Sequence, residues 1–115
     1  MPYTGQCHCG AISFAVDAEL PESAIDCNCS HCSTKGLILT FVPAAQFALT
    51  SGEEALGEYR FNTKTIAHRF CTACGCEPFA EGATPDGEVR AINLRCVTEA
   101  DFTKIRLDPV DGASF

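Results

Sequence analysis

Nine of the 115 residues are cysteine, and eight of these fall in three tight groups: Cys7 and Cys9; Cys27, Cys29 and Cys32; Cys71, Cys74 and Cys76. The count is odd, and the opening stretch MPYTGQCHCG has neither the basic nor the apolar region of a secretory leader. Both features oppose a disulfide framework and favour reduced thiols that hold a metal, as expected of a cytoplasmic chain. Two cysteines two or three positions apart let one tight turn supply two ligands to a tetrahedral zinc. The pairs CHC (Cys7, Cys9) and CTAC (Cys71, Cys74) together offer four thiolates, enough to close a structural site. Iron or disulfides are the competing readings of the same four sulfurs.

The middle group, CNCSHC, supplies three cysteines within six residues. Three is the ligand number of a catalytic zinc, which leaves its fourth position to water or substrate. A thiol entering that position loses its proton and is held as a nucleophile at neutral pH. A second closed site, with Cys76, Cys96 or a histidine as fourth ligand, and a metal-free redox cluster are the alternatives. His31 lies next to Cys32, where an imidazole of near-neutral pKa can carry the proton that such a thiol releases; both it and His8 also read as exposed spacers. His68, between Ile66 and Phe70, reads as a strand residue, and Cys96 as a small buried hydrophobe.

Short β-strands must position these groups. Ile12, Phe14 and Val16 alternate with polar or small residues, the pattern of a half-buried strand directly after the first cysteine pair. Leu37 to Val42 is an apolar run ended by Pro43, and Phe47 to Leu49 stops at Thr50-Ser51-Gly52; both predict strands. Tyr59 to Phe61 and Ile66 to Phe70 flank Asn62, Thr63 and Lys64, predicting a hairpin whose second strand runs into CTACG. Val89 to Val97 predicts a further strand, and Asp108 to Phe115, with Pro109 and Gly112, an irregular tail. Helix is scarce: a single turn at Ala44 to Phe47, and Thr98 to Phe102, where Thr98 and Asp101 fit a capping box. The expectation is one mainly β domain over residues 1–115, of about eight short antiparallel strands tied by metal.

Composition supports a folded, non-nucleic-acid-binding chain. Hydrophobic residues make up 46% against 20% charged, outside the disordered range. Eight basic against fifteen acidic residues give a net charge of −7, opposite in sign to a phosphate-binding surface. No apolar run approaches the roughly 20 residues that span a bilayer, so neither nucleic acid nor a membrane is an expected partner.

The three cysteine motifs, GxCxCG (Gly5, Cys7, Cys9, Gly10), CxCSxC (Cys27, Cys29, Ser30, Cys32) and FCxxCG (Phe70, Cys71, Cys74, Gly75), resemble those of the glutathione-dependent formaldehyde-activating enzyme family, which shares its domain with centromere protein V. Ile92-Asn93-Leu94-Arg95 is similar to that family's INLR strand, and Asp111-Gly112 to its terminal DG. The resemblance implies an Mss4-like β fold with two zincs, a structural one on Cys7, Cys9, Cys71 and Cys74 and a substrate-facing one on Cys27, Cys29 and Cys32. It implies condensation of formaldehyde with glutathione to S-hydroxymethylglutathione, the reverse of a carbon–sulfur lyase reaction. A non-catalytic zinc module for partner binding is the alternative that the same fold supports. Glutathione carries two carboxylates, so an acidic protein must offer it local cations; Lys35, Arg60, Arg69 and Arg95 are the candidates, each also readable as a solvated surface charge. The chain departs from the family pattern at Lys35, where an Arg is usual and Lys offers only a point charge, and at Cys76, which has no counterpart.

Overall fold

A computed structural model describes residues 2–27, 34–60 and 66–110. Ten strands are present among them: β1 (Tyr3–Gln6), β2 (Ser13–Val16), β3 (Ser23–Cys27), β4 (Leu39–Pro43), β5 (Phe47–Ser51), β6 (Leu56–Tyr59), β7 (Ala67–Cys71), β8 (Phe79–Thr84), β9 (Gly87–Asn93) and β10 (Arg106–Val110). They form a three-stranded sheet in the order β1-β2-β5 and a seven-stranded sheet in the order β10-β3-β4-β9-β8-β7-β6. No helix among the described residues is long and apolar enough to cross a membrane.

The alternation Ile12, Phe14, Val16 does what its period requires, with all three side chains at 0% exposure. Phe14 and Val16 join Tyr3 from the small sheet to Ala24, Val42, Phe79 and Ile92 from the large one and to Ile38, Leu94 and Val97 from the segments flanking its strands. Phe47 lies between Phe14 and Phe79, with ring centroids 5.5 and 4.7 Å away, within the range of favourable aromatic pairs. Gly5 pairs across the strand with Phe14, and a Cβ on it would sit 2.4 Å from the Phe14 ring and 2.9 Å from the Cys96 carbonyl oxygen. The first glycine of the GxCxCG motif is thus a packing requirement of the core.

Four expectations need correction. The strands number ten among the described residues, and one pairing is parallel: β10 runs alongside β3 from Arg106↔Ser23 to Val110↔Cys27. The expected tail therefore begins as a strand. It tolerates Pro109 because β10 is an edge of the sheet, where a missing N–H costs no ladder bond. The strand expected over Val89 to Val97 stops at Asn93, whose side chain accepts the Arg95 N–H at 3.1 Å and starts a 3-10 turn over Leu94–Cys96. Thr98 to Phe102 is not a helix. Asp101 spends its carboxylate on Thr103, accepting from its N–H at 3.0 Å and from its hydroxyl at 2.6 Å, so it turns the chain forward instead of closing a box on Thr98. The single turn expected after Pro43 is present as a 3-10 turn over Ala44–Gln46. Residues 61–65 and 111–115, which include parts of the expected hairpin and tail, lie outside the described residues.

Tyr3 is 3% exposed, and its hydroxyl has no hydrogen-bond partner among the described residues. A buried hydroxyl of this kind carries a desolvation cost of about 1–3 kcal/mol. Tyr3→Phe keeps the ring and removes that cost, so it is expected to raise the chemical denaturation midpoint with an unchanged m-value. An unchanged or lowered midpoint would show that the hydroxyl is solvated or bonded in solution.

Candidate metal centre

Two short loops present four of the cysteines, and the same backbone bond closes both. Cys7 follows β1; its N–H donates to the carbonyl of Ile12, five residues on, at 3.0 Å, and its own carbonyl accepts from Gly10 at 3.1 Å. Cys71 ends β7; its N–H donates to the carbonyl of Cys76, also five residues on, and its carbonyl accepts from Gly75, both at 2.8 Å. Gly10 and Gly75 take left-handed φ values of 81° and 83°, a conformation that costs any other residue about 1–2 kcal/mol, so each turn is set by its glycine. In each loop a backbone N–H points at the leading sulfur: Ile12 to Cys7 Sγ at 3.3 Å and Cys74 to Cys71 Sγ at 3.4 Å. Cys76 occupies the place in the second loop that Ile12 holds in the first, which gives this unmatched cysteine a structural position.

The loops meet so that the Sγ atoms of Cys7, Cys9, Cys71 and Cys74 all lie within 4.8 Å of one another. Cys9 Sγ is 3.6 Å from both Cys7 Sγ and Cys71 Sγ. A tetrahedral ion with bonds near 2.3 Å to sulfur holds its ligands about 3.8 Å apart, so the four sulfurs fit zinc. They do not fit disulfides, whose sulfurs lie about 2.0 Å apart. Cys7 and Cys71 are 1% and 0% exposed, whereas Cys9 is exposed and Cys74 partly so; the centre has a buried half anchored in the sheets and an outer half facing solvent. Backbone N–H groups of Cys76 and Cys9 hold the Cys74 thiol down to about 5. Although the Ala11 N–H favours its thiolate, the sulfurs of Cys7 and Cys71 push Cys9 up to about 12. Four thiolates this close need a cation to coexist, and binding one releases protons. The coarse expectation of a four-cysteine cluster compatible with zinc is therefore met.

The segment after β5 supports both loops. Ala55 accepts the N–H and the hydroxyl of Thr72 at 2.8 and 2.9 Å, fixing the second loop. Gly52, at φ 92°, runs so close to the first that a Cβ would lie 2.2 Å from the Ala11 oxygen and 2.7 Å from the Ile12 Cα. Ile12, Cys7 and Cys71 form a small buried cluster with Leu49, Ala55 and Leu56 packed against it.

The other candidate residues are distributed differently. Cys27 ends β3, while Cys29, His31 and Cys32 lie outside the described residues. Lys35 reaches Glu77 Oε1 at 3.7 Å and lies over the Phe70 ring at 5.6 Å. Arg95 lies over the Phe102 ring at 5.2 Å, Arg60 bonds Glu58 and Arg69 bonds Glu81, each at 2.8 Å. Of these four cations, Lys35 is closest in sequence to the CxCSxC motif. His8 is exposed in the first loop. His68 is a strand residue as expected, but it is buried, with Nδ1 3.1 Å from Glu77 Oε2. Glu77, 4% exposed, went unnoticed in the sequence, where a glutamate after a metal loop looks solvated; its only signal is the apolar Pro78-Phe79 that follows. Cys96 is half-buried and accepts from Asn93 Nδ2 at 3.7 Å, and burial pushes its thiol up to about 12.

A family model described as glutathione-dependent formaldehyde-activating enzyme matches residues 2–110. Among solved structures, the crystal structure of a Rhodobacter sphaeroides protein is similar to this chain at 25% identity and a TM-score of 0.76, covering 91% of this chain and 99% of that one.

Gly52→Ala tests the contact that joins the first loop to its support. Left-handed strain alone costs about 1–2 kcal/mol, the loss expected for Gly36→Ala, where φ is 68° and none of the described residues lies within 4 Å of a new Cβ. At Gly52 the collision is with backbone, so the loss in unfolding free energy is expected to exceed that of Gly36→Ala and to be accompanied by faster reaction of Cys9 with a thiol reagent. Equal losses would mean that the loops do not depend on this approach.

Proposed function

Because the chain belongs to the glutathione-dependent formaldehyde-activating enzyme family, we propose that it is a zinc-dependent enzyme of the carbon–sulfur lyase type. Its reaction is the reversible addition of a small thiol, glutathione or a close analogue, to formaldehyde. What supports this reading is that the Sγ atoms of Cys7, Cys9, Cys71 and Cys74 lie within 4.8 Å of one another, a full set of four ligands, while the sequence offers Cys27, Cys29 and Cys32 as a further three. Four thiolates complete a structural zinc; three leave a position for substrate.

In this reading two zincs are bound per chain. The ion on Cys27, Cys29 and Cys32, when present, supplies Lewis acidity that keeps an entering thiol deprotonated. The chain's own residues bind and orient the substrate. Lys35, three residues beyond Cys32, offers its ammonium to a substrate carboxylate, and the net charge of −7 makes such a local cation necessary. His31 stands beside Cys32 as a candidate to accept the thiol proton. Seven of the nine cysteines in a metal-holding pattern suit a reducing compartment, so the cytoplasm is the proposed location.

Metal content per chain, together with the variants Cys71→Ser and Cys29→Ser, tests the proposal. Structural zinc contributes on the order of 10–16 kcal/mol in small zinc peptides, so Cys71→Ser is expected to unfold the chain. Cys29→Ser is expected to stay folded with one zinc fewer and to lose turnover of S-hydroxymethylglutathione. Equal losses of melting temperature in the two variants would overturn the division of roles. A folded Cys29→Ser protein with parental turnover would overturn the enzymatic reading and leave a non-catalytic zinc module.

A further inference from the structure

A sheet edge presents a row of backbone donors and acceptors that pairs with another strand unless something blunts it. The described residues form four such edges, β10 and β6 on the large sheet and β1 and β5 on the small one. Pro109 interrupts β10, where Arg106 and Asp108 are also ion-paired at 2.9 Å, and the end of β6 carries the ion pair of Glu58 with Arg60. β1 has the Leu94–Cys96 turn packed against it, with the Cys96 carbonyl oxygen 2.9 Å from where a Gly5 Cβ would stand. β5, Phe47–Ser51, has neither a charged residue nor a proline. Among the described residues no strand pairs with its outer side.

The register shows which backbone groups of β5 face outward. The Asp17 N–H donates to the Gln46 carbonyl at 2.8 Å, and in an antiparallel pair such bonded positions alternate with unbonded ones. Ala15↔Ala48 is therefore a bonded position, whereas at Val16↔Phe47 and Phe14↔Leu49 the N–H and C=O groups turn away from each other. The Phe47 N–H is used locally, by the Ala44 carbonyl. The Phe47 carbonyl and both backbone groups of Leu49 are left for an added strand, since among the described residues nothing outside the sheet bonds them. Side chains follow the same period: Phe47 and Leu49 pack against the core, and Ala48 and Thr50 are exposed. A strand added here alternates in the same way, with apolar side chains beside Phe47 and Leu49.

The end of this edge opens into an acidic cavity of about 410 Å³, lined by Leu49, Thr50, Ser51, Gly52, Glu53 and Glu54. The Thr50 and Ser51 hydroxyls are engaged with Ser13 Oγ at 2.9 and 2.6 Å. Neither Glu53 nor Glu54 has an ion-pair partner among the described residues. Two such carboxylates, next to three open backbone groups, complement a strand that carries a cation at its end. They do not complement a second copy of this chain, which brings a further net charge of −7. We propose that β5 is a docking edge for an extended, basic segment of a partner protein, which pairs with Phe47 and Leu49 and sets a lysine or arginine in the cavity between Glu53 and Glu54. The edge adjoins the support of the metal centre. Leu49 packs on the cluster of Ile12, Cys7 and Cys71, and Gly52 runs against the first cysteine loop, so a docked segment braces the loop that carries Cys7 and Cys9.

The test uses the zinc-loaded full chain and a synthetic probe, acetyl-Lys-Thr-Val-Thr-Val-Thr-Lys-amide, with a lysine at each end to serve either strand direction. Amide NMR follows the titration. The probe is expected to shift the amide signals of residues 47–54 and to slow hydrogen exchange at the Leu49 N–H. A probe with glutamate in place of both lysines is expected to bind about fivefold or more weakly, because like charges meet at the cavity. A probe with proline in place of both valines lacks the N–H groups that face β5 and is expected to leave these signals unmoved. Glu53→Gln combined with Glu54→Gln changes only exposed side chains; it is expected to weaken the lysine probe about two- to tenfold and to bring the lysine and glutamate probes toward equal affinity. Signals over residues 47–54 that stay unmoved at millimolar lysine probe would overturn the proposal. So would equal binding of the lysine and glutamate probes to the parent chain. Sedimentation of the chain alone as a dimer, with the Leu49 N–H already protected, would make a second copy the occupant and overturn the basic partner.

Discussion

Everything in this structure is arranged around the mutual approach of four sulfurs. Thiolates at 3.6 Å repel one another, and the opposite shifts of Cys74 and Cys9 express that conflict. A divalent cation would resolve it, and would join loops that belong to different sheets. Cys9 and Cys71 stand 62 positions apart; one loop extends β1 of the small sheet and the other extends β7 of the large one. Contacts so distant in sequence carry a loop-closure cost. The aromatic core of Phe14, Phe47 and Phe79 holds the sheets together on one side, and the thiol centre fastens them at the loop end. The left-handed glycines, the Cys71-to-Cys76 bond and the close passage of Gly52 all serve to bring the sulfurs to that distance.

What was legible in the sequence is what local geometry encodes. A CxC or CxxC pair sets a turn and two candidate ligands whatever the rest of the chain does, and the structure brings Cys7, Cys9, Cys71 and Cys74 together. The period-2 pattern of Ile12, Phe14 and Val16 reports a core face directly. The illegible parts depend on partners distant in sequence. Nothing in Arg106 to Val110 announces a parallel neighbour at Ser23 to Cys27, and Pro109 argues for a tail until its edge position is known. Asp101 had two nearby groups to serve, Thr98 behind it and Thr103 ahead, and spacing alone does not choose between them. Glu77 and His68 are nine residues apart, and only the antiparallel return of β7 and β8 brings them together. The roles of Cys29, His31 and Cys32 rest on the motif, because those residues lie outside the described part of the structure.

The two faces of the large sheet divide the labour. One face carries Phe79, Ile92 and Val42 into the main core, where apolar burial supplies most of the stability. The other carries Ala80 and Ala91 with His68, Glu77 and Lys35 beside them. Alternation along β8 and β9 therefore sends Phe79 and Ile92 to the main core and Ala80 and Ala91 to a second buried cluster with Leu37 and Leu39. A substitution of Ile92 or Phe79 removes apolar burial from the main core, whereas a substitution of His68 removes a buried partner of Glu77.

Cys76 shows how the two demands meet in one residue. Its carbonyl closes the second loop as that of Ile12 closes the first, and its side chain packs against the same small cluster, so any compact apolar residue satisfies the geometry. Burial pushes its thiol above the ordinary range, and the neighbouring sulfur of Cys74 pushes in the same direction. What the second loop uses of Cys76 is its backbone carbonyl, which the Cys71 N–H reaches at 2.8 Å, and that contact does not depend on the sulfur.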